Sequence, residues 1–105
     1  MTTSINTETL EIQTIQLKKA ALFFRAVNHK LRQQILKLLS REGVMPVTDI
    51  YVKLRLEQSV CSQHLAILRK ANLVEAEREG KQIFYKVNHK QLKQLHAIAG
   101  QLLGN

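Results

Sequence analysis

The sequence of 105 residues predicts a mainly α-helical domain with one β-hairpin, in the element order ααααββα. Two observations carry this prediction. Apolar residues recur at the helical period of 3.6 up to about Asn72, and the period then changes to 2 within the stretch LVEAEREGKQIFYKV. The length suits a single domain, 1–105, and the polar residues 1–7 are expected to be flexible.

The first two helices are predicted from their apolar stripes. The first runs to about Val27 and its stripe consists of Leu10, Leu17, Ala21 and Phe24. The second can be capped by Asn28, and Gly43 suits the position just after its end. Its stripe consists of Leu31, Ile35, Leu38 and Leu39.

A short third helix and a fourth helix follow. Pro46 suits the first turn of the third helix, which extends from Val47 to about Arg55. The fourth lies in SVCSQHLAILRKANLV, where the period predicts a packed arc of Cys61, His64, Leu65, Leu68 and Ala71 flanked by Val60 and Ile67. The opposite arc, predicted to be free, consists of Ser59, Ser62, Gln63, Ala66, Arg69 and Lys70.

The hairpin and the last helix complete the order. Apolar residues alternate with polar ones around EGK, and the loop is either Glu79-Gly80 or Glu79-Gly80-Lys81. Asn88, with Gln91 three residues later, is typical of a capping box and opens a helix up to Gly104.

A hairpin directly after a helix-turn-helix describes a winged helix-turn-helix domain. The two terminal helices carry apolar stripes beyond what this core needs, and we expect them to form a dimer interface through Leu10, Leu17, Phe24, Leu92, Leu95 and Leu102.

Charge indicates the class of partner. The net charge is +8, with 16 Lys and Arg against 8 Asp and Glu, which favours a polyanion such as nucleic acid. No apolar run approaches the roughly 20 residues of a membrane span, the start lacks the parts of a signal peptide, and the single cysteine excludes an intrachain disulfide. A cytoplasmic protein is therefore expected, and docking to a membrane surface is the lesser alternative because the basic residues are spread over several segments.

Three blocks in this order and spacing resemble the ArsR-type (ArsR/SmtB) bacterial repressors over roughly residues 20–90: FRAVNHKLRQQILKLL, LEQSVCSQHLAILRKANLV and EREGKQIFYKV. The resemblance implies a homodimer that represses transcription by binding operator DNA, and the operator is expected to be palindromic because the dimer is two-fold symmetric. It places each fourth helix in a major groove and each hairpin, or wing, near the DNA backbone or the minor groove.

The resemblance assigns DNA contacts to residue positions. Gln58, Ser59, Ser62 and Gln63 match the DNA-reading positions, where amides and hydroxyls can bond to base edges. Arg69 and Lys70 lie further along and suit phosphates or ordinary surface charge. On the wing, Arg78 and Lys81 suit phosphate contact, although three glutamates nearby weaken the positive electrostatic field. The alternative for the whole face is ordinary solvation. Glu57 departs from the family, which has a small polar cap there, and caps poorly by its side chain.

Two side chains on the packed arc, those of His64 and Cys61, allow a structural and a functional interpretation. His64 is expected to be partly buried and bonded to a backbone group or a phosphate rather than to a ligand. Cys61 is expected to be an inert buried thiol, and redox sensing through it is the minor alternative.

Metal binding and catalysis are not expected. In the stretch VMPVTDI, Pro46 and Thr48 replace the two cysteines with which many ArsR relatives bind metals. His89 and His96 lie near one face of the last helix, but no Asp or Glu follows Glu79, so a metal there remains only an alternative. No nucleophile with a base, carboxylate pair or phosphate-binding glycine loop is present, and neither an enzyme nor a cofactor is expected. The rival functions are a metal- or redox-responsive repressor of this family and a winged-helix module that binds protein or RNA.

Overall fold

The computed structural model of the chain describes residues 7–102, without the side chains of residues 7–13, 95, 98, 99, 101 and 102. The elements are α1 Thr7–Val27, α2 Lys30–Glu42, β1 Met45–Pro46, α3 Val47–Lys53, α4 Gln58–Lys70, β2 Val74–Glu79, β3 Gln82–Val87 and α5 His89–Leu102. The mainly helical winged helix-turn-helix is confirmed. Of the predicted flexible start, residues 1–6 lie outside the described part, and α1 begins at Thr7. Gly104, the predicted end of the last helix, also lies outside it.

A strand that the sequence did not predict precedes α3. Met45 and Pro46 form β1, which pairs antiparallel with β3 through Met45↔Tyr85 and Pro46↔Phe84 and gives the sheet order β1-β3-β2. Proline, which has no N–H, fits this edge position because its missing donor faces away from the ladder. The placement of Pro46 inside the first turn of α3 was wrong by one residue, since Pro46 is the extended N-cap (φ −68°, ψ 149°).

The cap of α2 also differs from the prediction. His29, not Asn28, is the N-cap, and its ring Nδ1 accepts a hydrogen bond from the backbone N–H of Leu31 at 3.1 Å. At the other end the expected Gly43 is the C-cap, at φ +88°, and its N–H donates to the carbonyl of Leu39 at 2.8 Å. The positive φ explains why glycine occupies this position.

Helices α3 and α4 end in the same type of turn. After α3, Arg55 (φ 57°) and Leu56 donate their N–H groups to the carbonyls of Val52 and Tyr51. After α4, Asn72 (φ 60°) and Leu73 donate to those of Arg69 and Leu68. These are Schellman turns, in which the left-handed residue is most often glycine. The first separates the two helices of the helix-turn-helix, and the second turns the chain into the wing.

The wing is a hairpin with a two-residue loop. Glu79 pairs with Gln82, so the loop is Gly80-Lys81 with Gly80 at φ +63°, and both predicted loops were wrong. At the base of the wing Val74 and Val87 face each other and are buried. Further out the expected alternation of burial fades, because the tip extends beyond the core and Ile83, Phe84 and Tyr85 are all half-buried.

The last helix begins as predicted, with one difference. Asn88 Oδ1 accepts from the N–H of Gln91 at 3.1 Å, which is one half of the capping box. The side chain of Gln91 instead donates to the carbonyl of Ala71, at 3.4 Å, and so ties α5 to the end of α4. The core below joins α2, α3, α4 and the base of the wing through the fully buried side chains Ile35, Leu39, Ile50, Cys61, Leu65, Leu68, Leu73 and Val74.

Candidate nucleic-acid interface

Helix α4 has the two faces that its period predicts. Cys61, Leu65 and Leu68 are completely buried, whereas the outer face is exposed. That outer face comprises Gln58, Ser59, Ser62, Gln63, Ala66, Arg69 and Lys70. The packed side fixes the rotation of the helix, because turning it would expose the leucines to water. The polar side is therefore presented to solvent in a fixed orientation.

The start of α4 is free of side-chain capping. Glu57 is the N-cap, and its side chain makes no capping hydrogen bond, as its length led us to expect. The first intrahelical bond runs from the N–H of Cys61 to the carbonyl of Glu57 at 3.0 Å. Backbone donors of the first turn thus remain available beside Gln58 and Ser59, at the positive end of the helix dipole.

A buried arginine, which the sequence analysis missed, holds α4 from behind. Arg32 is only 7% exposed. Its Nε donates to the carbonyl of Ala26 and its Nη2 to that of Arg25, both at 2.8 Å. These are among the last carbonyls of α1, which lack partners within the helix. The signal was in the sequence, since Arg32 lies four residues before Leu36 and seven before Leu39 on the buried side of α2.

Arg32 also contacts α4. Its Nη1 lies 3.3 Å from Nδ1 of His64, which must accept because a guanidinium only donates. His64 is half-buried as expected, but its partner is this side chain and not a backbone group. The ring of His29 lies 4.6 Å from that of His64. Burial, and then the nearby His29 and Arg32, lower the pKa of His64, so the neutral ring is favoured.

The wing tip carries both predicted basic residues on its surface. Arg78 and Lys81 are exposed, and Arg78 Nε donates to the carbonyl of Gly80 at 3.4 Å, which keeps its head group at the loop. Lower down, Lys86 and Glu75 form an ion pair at 3.5 Å. This pair neutralises one of the three wing glutamates, while Glu77 and Glu79 remain beside the two basic residues of the tip.

Cys61 lies inside the core. It is completely buried, and this burial raises the pKa of its thiol, which disfavours the reactive thiolate. Within the described residues no three His, Cys, Asp or Glu side chains are grouped so as to hold a metal ion. His89 and His96 line an open depression of α5 together with Leu92 and Lys93. The expectation that the chain binds no metal stays a prediction.

The terminal helices pack on each other and leave apolar side chains exposed. Leu17 and Phe24 are 53% and 40% exposed, and Ile15, which was not among the predicted interface residues, is 52% exposed. Leu92 is half-buried against the core of its own chain. The side chains of Leu10, Leu95 and Leu102 lie outside the described part. Among the described helices, none has the length and hydropathy required to cross a membrane.

Comparisons with known proteins agree with this architecture. The model of the arsR family of bacterial regulatory proteins matches residues 29–76, from the cap of α2 into the wing. An uncharacterized HTH-type transcriptional regulator of Methanocaldococcus jannaschii is 38% identical over 81% of this chain and 96% of its own. The transcriptional activator HlyU of Vibrio cholerae is 34% identical over 80% of this chain and 77% of its own.

A solved structure extends the likeness to almost the whole chain. The crystal structure of NolR from Sinorhizobium fredii superposes with a TM-score of 0.67 at 32% identity and covers 98% of both chains. The relatives are transcription regulators and not enzymes, in keeping with the sequence-based expectation. This chain, a winged helix-turn-helix with an exposed polar face on α4, is thus a member of the ArsR family of bacterial DNA-binding transcription regulators.

Proposed function

We propose that this regulator is a cytoplasmic homodimer that represses transcription by occupying a palindromic operator, without the cysteine metal site of many family members. The exposed polar face at the start of α4 carries the proposal. Gln58, Ser59, Ser62 and Gln63 contact base edges in the major groove, where amides and hydroxyls discriminate between bases. Arg69, Lys70, Arg78 and Lys81 contact phosphates, which hold the protein on the duplex without selecting sequence.

The shape of the chain supports the dimer. Its radius of gyration is 16.6 Å and its longest extent 60 Å, whereas a compact domain of this length has a radius of gyration of about 13 Å. Helix α1 packs against α5 and leaves Leu17 and Phe24 exposed. A second copy that packs on these helices buries both side chains and places two recognition helices about a two-fold axis.

Repression follows from occupancy alone, because a small dimer across a promoter blocks the polymerase. HlyU, a relative, is named an activator, and activation is therefore the second candidate. A reporter driven by a selected operator separates the two: deletion of the protein raises expression from a repressed promoter and lowers it from an activated one. The same selection from random duplexes must return a symmetric site, and an asymmetric or absent preference would support a module that binds protein or RNA.

Two substitutions separate base contacts from phosphate contacts. Gln63→Ala should lower affinity for the selected operator by about 1 to 3 kcal/mol, with nearly unchanged affinity for random duplex, because it loses a base contact. Lys81→Ala should lower both affinities together and reduce the salt slope by about one unit. Titrations with both duplexes over a series of salt concentrations measure this. An intact operator preference in Gln63→Ala would refute sequence recognition by this face.

The dimer is tested at the exposed apolar residues. Leu17→Glu should shift sedimentation toward the monomer, because the interface would bury an unpaired charge. Val52→Glu is the matched control, since Val52 is 68% exposed on α3, away from α1 and α5. Equal dimer fractions in the two variants would place the interface elsewhere.

A further inference from the structure

A basic depression lies beside the start of the recognition helix, outside the residues assigned to DNA above. It has a volume of about 480 Å³ and is open to solvent between α2 and the end of α3. Lys37 and Arg41 come from α2, one turn apart, and Lys53 and Arg55 come from the end of α3 and the turn before α4. We call these four residues the basic depression.

The charge of the basic depression is only partly compensated. Glu42 is the one carboxylate in the described part that forms ion pairs there, with Arg41 at 3.4 Å and Lys53 at 3.8 Å. Lys37 and Arg55 have no ion pair among the described residues. Four cations against one carboxylate leave a local charge of about +3, and like charges one helical turn apart destabilise the free protein slightly. A bound polyanion removes this repulsion.

The backbone conformation of Arg55 also supports a binding role for this surface. Arg55 has φ 57° at the left-handed position of the Schellman turn, where a side chain is strained and glycine is preferred. The turn of a helix-turn-helix often contains glycine for this reason. Unlike Asn72 at the equivalent turn after α4, arginine rarely adopts this conformation, and its presence here supports a function for the side chain. Arg55 precedes Gln58, the first residue of α4, by only three positions.

We propose that the basic depression binds the DNA phosphates that flank the bases contacted by α4. Each protomer then contacts a longer stretch of the duplex than α4 and the wing contact by themselves. The inference deepens the proposed function and rests on the contact between α4 and DNA. Phosphates fit because a DNA strand offers several of them to one basic surface, and guanidinium groups such as those of Arg41 and Arg55 bind them in a bidentate manner. Continuity with the start of α4 favours DNA over a separate acidic protein.

The first test compares two duplexes. One is a duplex selected from random sequence with ample flanks, and the other is the same duplex trimmed to the bases that selection fixes. Lys37→Gln with Arg55→Gln should reduce the salt slope on the long duplex by about two units per protomer, at about 0.9 per phosphate. On the trimmed duplex the variant and the wild type should bind alike. The control, Lys19→Gln with Lys90→Gln, removes two exposed charges elsewhere and should change neither slope.

The second test uses the strain at Arg55. Arg55→Gly should raise the melting temperature because it relaxes the turn, and should still weaken binding to the long duplex several-fold. Asn72→Gly, at the equivalent position after α4, should raise the melting temperature without weakening binding. If Arg55 were only structural, Arg55→Gly would bind the long duplex as tightly as the wild type, and the inference would be wrong.

Failure of this inference is distinguishable from failure of the proposed function. If the wild type selects no duplex, the assignment of base contacts to α4 fails. If it selects a site but Lys37→Gln with Arg55→Gln keeps the wild-type slope on the long duplex, only the phosphate role of the basic depression is overturned. Equal losses on the long and trimmed duplexes would also overturn it, because the contacts would then lie inside the selected site.

Discussion

Replacement of Arg32 by methionine removes the tie between α1, α2 and α4 and keeps most of the side-chain volume. The Ala26 and Arg25 carbonyls lose charged donors at 2.8 Å. A buried group left without its partner costs about 1 to 3 kcal/mol, and the cation also interacts favourably with the end of the α1 dipole. The Arg25 bond is only partly buried, so water recovers part of that loss. We expect a destabilisation of about 3 kcal/mol in total.

Thermal and urea unfolding at one fixed protein concentration measure this loss, since a dimer melts in a concentration-dependent way. The melting temperature of Arg32→Met should fall by roughly 12 to 24 °C, at 4 to 8 °C per kcal/mol for a domain of this size. Arg32→Lys should lie between the wild type and Arg32→Met, because one ammonium cannot match the fork of a guanidinium. Arg41→Met, at a side chain 67% exposed, should change stability by less than about 0.5 kcal/mol. If Arg32→Met unfolded like Arg41→Met, the capping role of Arg32 would be wrong.

Three further predictions follow from single contacts. Because the pKa of His64 is lowered in the folded protein, the unfolded chain binds more protons than the folded one. Stability should therefore decline as the pH falls below the unfolded pKa of about 6.5, and it should level off below the folded pKa. Unfolding measured as a function of pH should show this dependence in the wild type and not in His64→Gln. Native Cys61 should react with a thiol reagent only as fast as the protein opens, and prompt reaction in native buffer would revive the redox alternative. Asn88→Ala should cost about 0.5 to 2 kcal/mol in urea unfolding, because α5 loses its side-chain N-cap, and no loss would show that this cap is dispensable.

The order of the helices and the two faces of α4 were predictable because periodicity depends only on which residues are apolar. Leu65 and Leu68 lie inside and Ser62 and Gln63 outside for this reason. The hairpin was predictable in the same way, but its loop was not. Glu79-Gly80 and Gly80-Lys81 both place a glycine in the turn beside a polar residue, so the local sequence does not choose between them. The pairing is set by which residues of the two strands meet at the base of the wing, where Val74 faces Val87.

The remaining differences arise from tertiary contacts. Strand β1 has two residues, one of them a proline, and exists only because β3 offers an edge. Asn28 is a better intrinsic cap than His29, yet the histidine ring occupies the cap position and lies against His64. Arg32 was counted as part of the basic charge, whereas its position on the apolar stripe of α2 indicated burial. A charged residue on such a stripe indicates that hydrogen-bond partners for it lie inside the fold.

The bonds of Arg32 bear on how two subunits act together on one operator. Through this one guanidinium the carboxyl end of α1 and the middle of α4 are both hydrogen-bonded to α2, which restrains the orientation of the three helices relative to one another. In the proposed dimer α1 pairs the subunits and α4 enters the groove. The crossing angle between the α1 helices of the two subunits then sets the distance between the two α4 helices. That distance determines how many base pairs lie between the half-sites.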